Sequence, residues 1–204
     1  VLGGSDVNWR FDPEIMAVSV QEPEGAEPAS ITTSESTAEI TFVDSGTYVI
    51  TVSLTEQGYY WVSGYSQQFD KDTATYTVVV DKAKHGDYSA DEFGVLLDES
   101  AKTELDNGEE EAGWTYNTQN AGENLSAFGN FENAEVTYTY GGNENGASGA
   151  YSRTTVHAAD ETPSVPQNAG SYTVTVSFAE SANFYASQAS QELSFYIGKA
   201  ELTP

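Results

Sequence analysis

The sequence predicts an all-β protein built as two tandem antiparallel β-sandwich domains, residues 1–83 and 84–204, and three observations predict it. Composition is the first: 13 Tyr, 9 Phe, 3 Trp and 18 Gly stand beside abundant Val and Thr, and only one Met is present. Branched and ring-bearing side chains fit a pleated, half-buried surface, and the Leu/Ala/Lys/Glu stretches that build helices are missing. Short runs with an apolar residue at every second position form the second, divided by Gly, Pro, Asp and Ser at roughly ten-residue intervals. The third is a duplication: DSGTYVITVSL at 44–54 returns as NAGSYTVTVSF at 168–178, 124 positions later.

The runs follow one another along each half. IMAVSV (15–20) and TAEITFV (37–43) alternate, the latter placing Ile40 and Phe42 on one face. In GTYVITVSL, residues Tyr48, Ile50, Val52 and Leu54 alternate with Thr47, Val49, Thr51 and Ser53, the pattern of a strand with one buried face. GYYWV and ATYTVVV complete the first half. The segment DEFGVLLDESAKTEL (91–105) is where a short helix competes with a strand. Downstream, AEVTYTY (134–140) sets Val136, Tyr138 and Tyr140 against Glu135, Thr137 and Thr139. A Gly-rich turn, AYSRTTV, the duplicated strand and ELSFYI follow, with Leu193, Phe195 and Ile197 on one side.

Both halves also end alike, on VVVDKAK (78–84) and FYIGKAE (195–201). Matching Lys82 to Lys199 gives an offset of 117, seven short of the 124 that relates the duplicated strands, so the first half carries a seven-residue insertion between its last two strands, in a loop near 58–75. Loops vary where strands hold the core. The second half differs by a long acidic opening, 85–130.

The stretch PQNAGSYTVTVSF, then NFY and FYIGKAELT, with VTYTYGG upstream, resembles the tandem Ig-like repeats of large bacterial surface proteins, including the mostly-β, glycine-rich type of Gram-positive and gut bacteria. The resemblance covers 134–204 well and 37–84 in part, and does not extend over 1–36 or 85–130. It implies two tandem Ig-like antiparallel β-sandwich domains, exported to the cell surface or secreted, with neighbouring domains in a longer parent chain. In that family a Lys-Ala-x-Leu-Thr segment closes one unit and starts the next, as KAELTP does at the end of this sequence. The chain reads as a piece of something longer.

Thirty-two acidic residues against seven basic ones leave a net charge of −25. Such a surface repels nucleic-acid backbones and anionic lipid, and it is also an ordinary solubilising coat. With no Cys, each unit folds on its core alone, and thiol catalysis is excluded. No apolar run reaches membrane-spanning length, so no membrane insertion is expected.

Candidate chemistry is sparse. The two histidines, His85 and His157, accompany no nucleophile-elbow or metalloprotease motif, and a non-enzymatic protein is expected. Asp70 and Asp72, in FDKDT, lie in the inserted loop; with Asp91, Glu92 and the DNGEEE run at 106–111 they offer oxygens for a structural Ca²⁺. None follows the closed calcium-loop pattern, and plain solvated acids are the preferred explanation. GYYWVSGY gathers Tyr59, Tyr60, Trp61 and Tyr65. Alternation sends Tyr59 and Trp61 toward the core and leaves Tyr60 and Tyr65 for solvent, where ring faces stack on sugars. A Lys–Asn cross-link would need one of the five lysines buried in a core. The expectation is a spacer or stalk that presents other domains. The alternative is an adhesive module that takes a host or dietary glycan or protein through Tyr60 and Tyr65.

Overall fold

The computed structural model describes residues 11–55, 73–85, 93–105, 107–129, 132–144 and 150–201, and within them the protein is all-β. It divides into two compact units, Val1–Lys82 and Ala83–Pro204.

In the first unit, β1 (Met16–Gln21), β4 (Gly46–Leu54) and β5 (Thr73–Val80) form one sheet in the order β1-β4-β5. Both pairs are antiparallel. A separate hairpin, β2 (Ser30–Thr33) and β3 (Ala38–Thr41), interrupts the chain between β1 and β4. Tyr48 anchors this unit: it is buried, packs on the Phe42 ring at 4.5 Å, and donates its hydroxyl to the Asp44 carbonyl at 2.8 Å. Ile50, Val52 and Leu54, further along the same face, are only half-buried.

The second unit carries a six-stranded sheet in the order β11-β10-β12-β13-β8-β7. Its strands are β7 (Lys102–Glu104), β8 (Glu110–Thr115), β10 (Val136–Glu144), β11 (Ala150–His157), β12 (Gly170–Phe178) and β13 (Leu193–Gly198). A two-stranded sheet, β6 (Gly94–Leu97) with β9 (Leu125–Phe128), contributes Val95 and Leu125 to the same core, an arrangement consistent with a β-sandwich. The competing helix in 91–105 does not form in the described part, which is β6 and β7. The strict antiparallel expectation needs correction too, because β8 runs parallel to β13.

This core is aromatic. Trp114 stacks on Phe195 at 4.9 Å, Phe195 on Tyr172 at 5.6 Å, and Tyr151 meets Tyr172 edge-on at 5.2 Å. Full burial of each such side chain is worth about 1.5–3 kcal/mol. Where β13 stops pairing with β12, two serines take over: Ser190 Oγ accepts from Val176 N at 3.0 Å, and Ser187 Oγ from Phe178 N at 2.7 Å.

Strand register relates the two units. Leu54 faces Met16 across β4–β1, and Phe178 faces Val136 across β12–β10. Gly46 faces Val80, and Gly170 faces Ile197. The central strands are thus offset by 124 residues, their first partners by 120 and their second partners by 117. The last figure is the one that Lys82 and Lys199 give in the sequence. Details repeat at the same offsets. Tyr172 donates to the Asn168 carbonyl at 2.7 Å as Tyr48 does to Asp44, and Ala179 N reaches the Glu135 carbonyl at 2.9 Å as Thr55 N reaches Ile15 at 2.8 Å. Each central strand opens on a glycine whose Cβ would collide with its neighbour, Pro23 for Gly46 and Asn143 for Gly170. Pro23 and Asn143 are themselves 120 apart.

Candidate functional site

Four residues singled out in the sequence, Tyr60, Tyr65, Asp70 and Asp72, lie outside the described residues, as do Tyr59, Trp61, Asp91, Glu92 and Asp106. The rest of the acidic run is built into the β7–β8 turn. Asn107 Nδ2 donates to Glu109 Oε2 at 2.7 Å, and Glu109 N donates to Asn107 Oδ1 at 3.1 Å. Leu105 N closes the turn on the Glu109 carbonyl at 2.9 Å. Glu110 and Glu111 then enter β8, facing Glu104 and Thr103. Glu109 is thereby held in the turn while Glu110 and Glu111 fall on alternate sides of β8, and among the described residues no group of three His, Cys, Asp or Glu side chains is placed to hold a metal ion.

Beside this turn lies a cleft of about 360 Å³ in the second unit. Glu104, Leu105 and Asn107 form one wall, the start of β12 at Gly170 and Ser171 another, and the end of β13 from Tyr196 to Lys199 the floor. Glycine makes the floor approachable. A Cβ at Gly198 would strike the buried Thr103 hydroxyl, and one at Gly170 would strike the Asn143 carbonyl. The lining residues carry one carboxylate, one amide, the Ser171 and Tyr196 hydroxyls and the Lys199 ammonium, a set suited to hydrogen-bonding a small polar group. It contains no His, Cys or paired carboxylate arranged as acid and base.

The histidines sit apart from it. His157, 13 % exposed, accepts from Ser164 N at 3.2 Å through Nε2 and meets Tyr138 edge-on at 5.9 Å. His85 lies among Phe184 at 5.0 Å, Phe178 at 5.3 Å and Phe93 at 5.7 Å. Its Nε2 is buried without a partner among the described residues, and burial holds its pKa below the ordinary imidazole value. The segment before it is fixed by Ala83, whose N–H donates to the Asn183 carbonyl at 2.8 Å while its carbonyl accepts from Tyr185 N at 2.9 Å. Of the described lysines, Lys82 is half-buried and Lys84, Lys102 and Lys199 are exposed, so none occupies a core.

Tyrosine hydroxyls show how the core handles polar atoms. Burial raises the pKa of Tyr138, whose hydroxyl accepts from Ala127 N at 3.1 Å. Tyr140 is raised further, by burial first and then by its tyrosine neighbours, and its hydroxyl is buried without a partner among the described residues.

No family model matches the chain, and no curated protein matches it either. No helix among the described residues is long and apolar enough to cross a membrane.

Sequence reading did not single out the cleft, because its walls are backbone and glycine from three separated segments. It also passed over β8, whose EEEAGW reads as an acidic loop. The signal available for β8 was the pair Gly113–Trp114: a glycine directly before a large ring, in a chain whose cores are aromatic.

Proposed function

We propose that the chain is a non-catalytic repeat module of an extracellular bacterial surface protein, two tandem Ig-like β-sandwich domains that act as a spacer and present other domains. One observation carries this reading: the same three-strand core recurs at fixed offsets of 120, 124 and 117, down to the tyrosine-to-carbonyl hydrogen bond four residues back. A buried tyrosine bonded to backbone just upstream is a mark of Ig-like sandwiches. Repeats of this kind add length in equal steps while loops diverge. The acidic coat and the absence of cysteine suit a secreted array.

The test is binding of the intact chain to a glycan and mucin panel in millimolar calcium, with Tyr60→Ala and Tyr65→Ala variants alongside. A spacer shows no specific binding. Specific binding that disappears in the two variants overturns the spacer reading in favour of an adhesive one.

A further inference from the structure

We propose that the outer edge of β5 in the first unit accepts an added strand, running parallel to it, from a partner polypeptide that carries a glycine, then a large aromatic residue, then a cation. The inference rests on the equivalence of the two cores and holds whether the chain is a spacer or an adhesin.

In the second unit the strand equivalent to β5 is β13, and its outer edge is occupied. There β8 pairs in parallel, with Gly113 opposite Tyr196, Trp114 opposite Ile197 and Thr115 opposite Gly198. At the offset of 117 these three β13 positions are Val79, Val80 and Asp81 of the first unit. Among the described residues β5 pairs on one side only, with β4.

Burial at the two edges differs as a filled and an open slot would. Phe195 and Ile197 are 0 % and 2 % exposed beneath Trp114, whereas their counterparts Val78 and Val80 are half-buried and Val79 is 64 % exposed. The strand TATYTVVV (73–80) has no charge, proline or bulge to discourage pairing, although unprotected edges in sheets are usually blunted by such features. Strand addition at an exposed edge draws affinity from backbone hydrogen bonds and specificity from alternate side-chain pockets.

The occupant's chemistry follows from the filled slot. A Cβ at Gly113 would collide with the Tyr196 carbonyl, and its φ of +149° lies where side chains are strained, so the residue opposite Val79 is glycine. The next residue covers the pair Val78 and Val80, as Trp114 covers Phe195 and Ile197, and a large ring does this. The third residue meets Asp81, where the second unit has Gly198; a cation opposite a carboxylate is the favoured cross-strand pair. The same substitution explains why the slot takes a single strand. Gly198 lets β7 approach through Thr103, and a side chain at that position closes the approach.

The experiment uses the full chain and a fluorescein-labelled peptide, KKAGWKY, with fluorescence anisotropy as the readout. A second peptide, KKAVWKY, replaces the glycine. The proposal expects saturable binding that weakens at least tenfold for the valine peptide and at least tenfold for the Asp81→Lys chain. Asp81 is exposed, and circular dichroism checks that this variant keeps its fold. Absence of binding at millimolar peptide overturns the proposal. So does binding that Asp81→Lys leaves unchanged, which would mean exchange with β8 or attachment elsewhere, and so does sedimentation showing that β5 edges pair two copies of the chain. Loss of glycan binding in the preceding test leaves these outcomes unaffected, so the two readings fail separately.

Discussion

Replacing Tyr172 by Phe removes one hydroxyl and nothing else from the centre of the second unit, which makes its cost calculable. Tyr172 is 2 % exposed, its ring packs on Phe195 and Tyr151, and its hydroxyl donates to the Asn168 carbonyl at 2.7 Å. The Phe ring keeps those contacts. What is lost is one net hydrogen bond, about 0.5–1.5 kcal/mol, together with part of the cost of leaving a carbonyl unsatisfied, so the expected total is about 1–2 kcal/mol. For a unit of this size that lowers the melting temperature by about 3–6 °C. Tyr172→Ala also empties the ring's volume, and its cost rises to about 3–5 kcal/mol. Tyr48→Phe in the first unit repeats the perturbation with a 2.8 Å bond, and its cost falls in the same range. Urea unfolding followed by residue-resolved NMR assigns each loss to its unit, with the denaturant slope unchanged. A neutral Tyr172→Phe would refute the reasoning by removing the hydrogen bond from the balance, and a loss equal to that of Tyr172→Ala would refute it by removing the ring's packing.

Three further outcomes follow from the same structure. Gly113→Ala sets a Cβ against the Tyr196 carbonyl at a positive φ, and it should destabilise the second unit by about 3 kcal/mol or more, read as lost amide protection in β8 and β13. Burial, and then the Glu144 carboxylate, push the Tyr172 pKa up to about 12, so the folded state holds that proton more tightly; its contribution is whole below pH 10 and is lost as pH rises through 12, which alkaline unfolding of wild type against Tyr172→Phe detects. For His85 the sign is opposite: burial depresses its pKa, so the unfolded chain binds the proton more readily and stability falls as pH drops below 6.5, a dependence that His85→Phe should reduce in acid titrations followed by NMR.

How far the sequence revealed this structure depends on how many faces each strand buries. β12 was legible because Tyr172, Val174, Val176 and Phe178 are buried and alternate with exposed or half-buried residues, a clean period of two. β10 reads the same way through Val136, Tyr138 and Tyr140. β6 was ambiguous because Gly94 and Val95 are both buried, and a continuous short apolar run has no period to separate strand from helix. β8 was hidden because a parallel partner 83 residues away decides it, and the glycine that permits the close approach looks locally like a turn. The 117-residue offset of the closing lysines matches the strand register, since Val80 and Ile197, each two residues before its lysine, face Gly46 and Gly170. The cleft could not be read from sequence, because it depends on where Gly170 and Gly198 meet the β7–β8 turn rather than on any motif.

Cross-strand NOEs on the isotope-labelled chain test whether one core occurs twice. Contacts are expected between Met16 and Leu54 and between Gly46 and Val80 in the first unit, matched by Val136 with Phe178 and Gly170 with Ile197 in the second. A first unit whose strands pair one residue out of this register would turn its apolar face outward, and the two units would then not share a core.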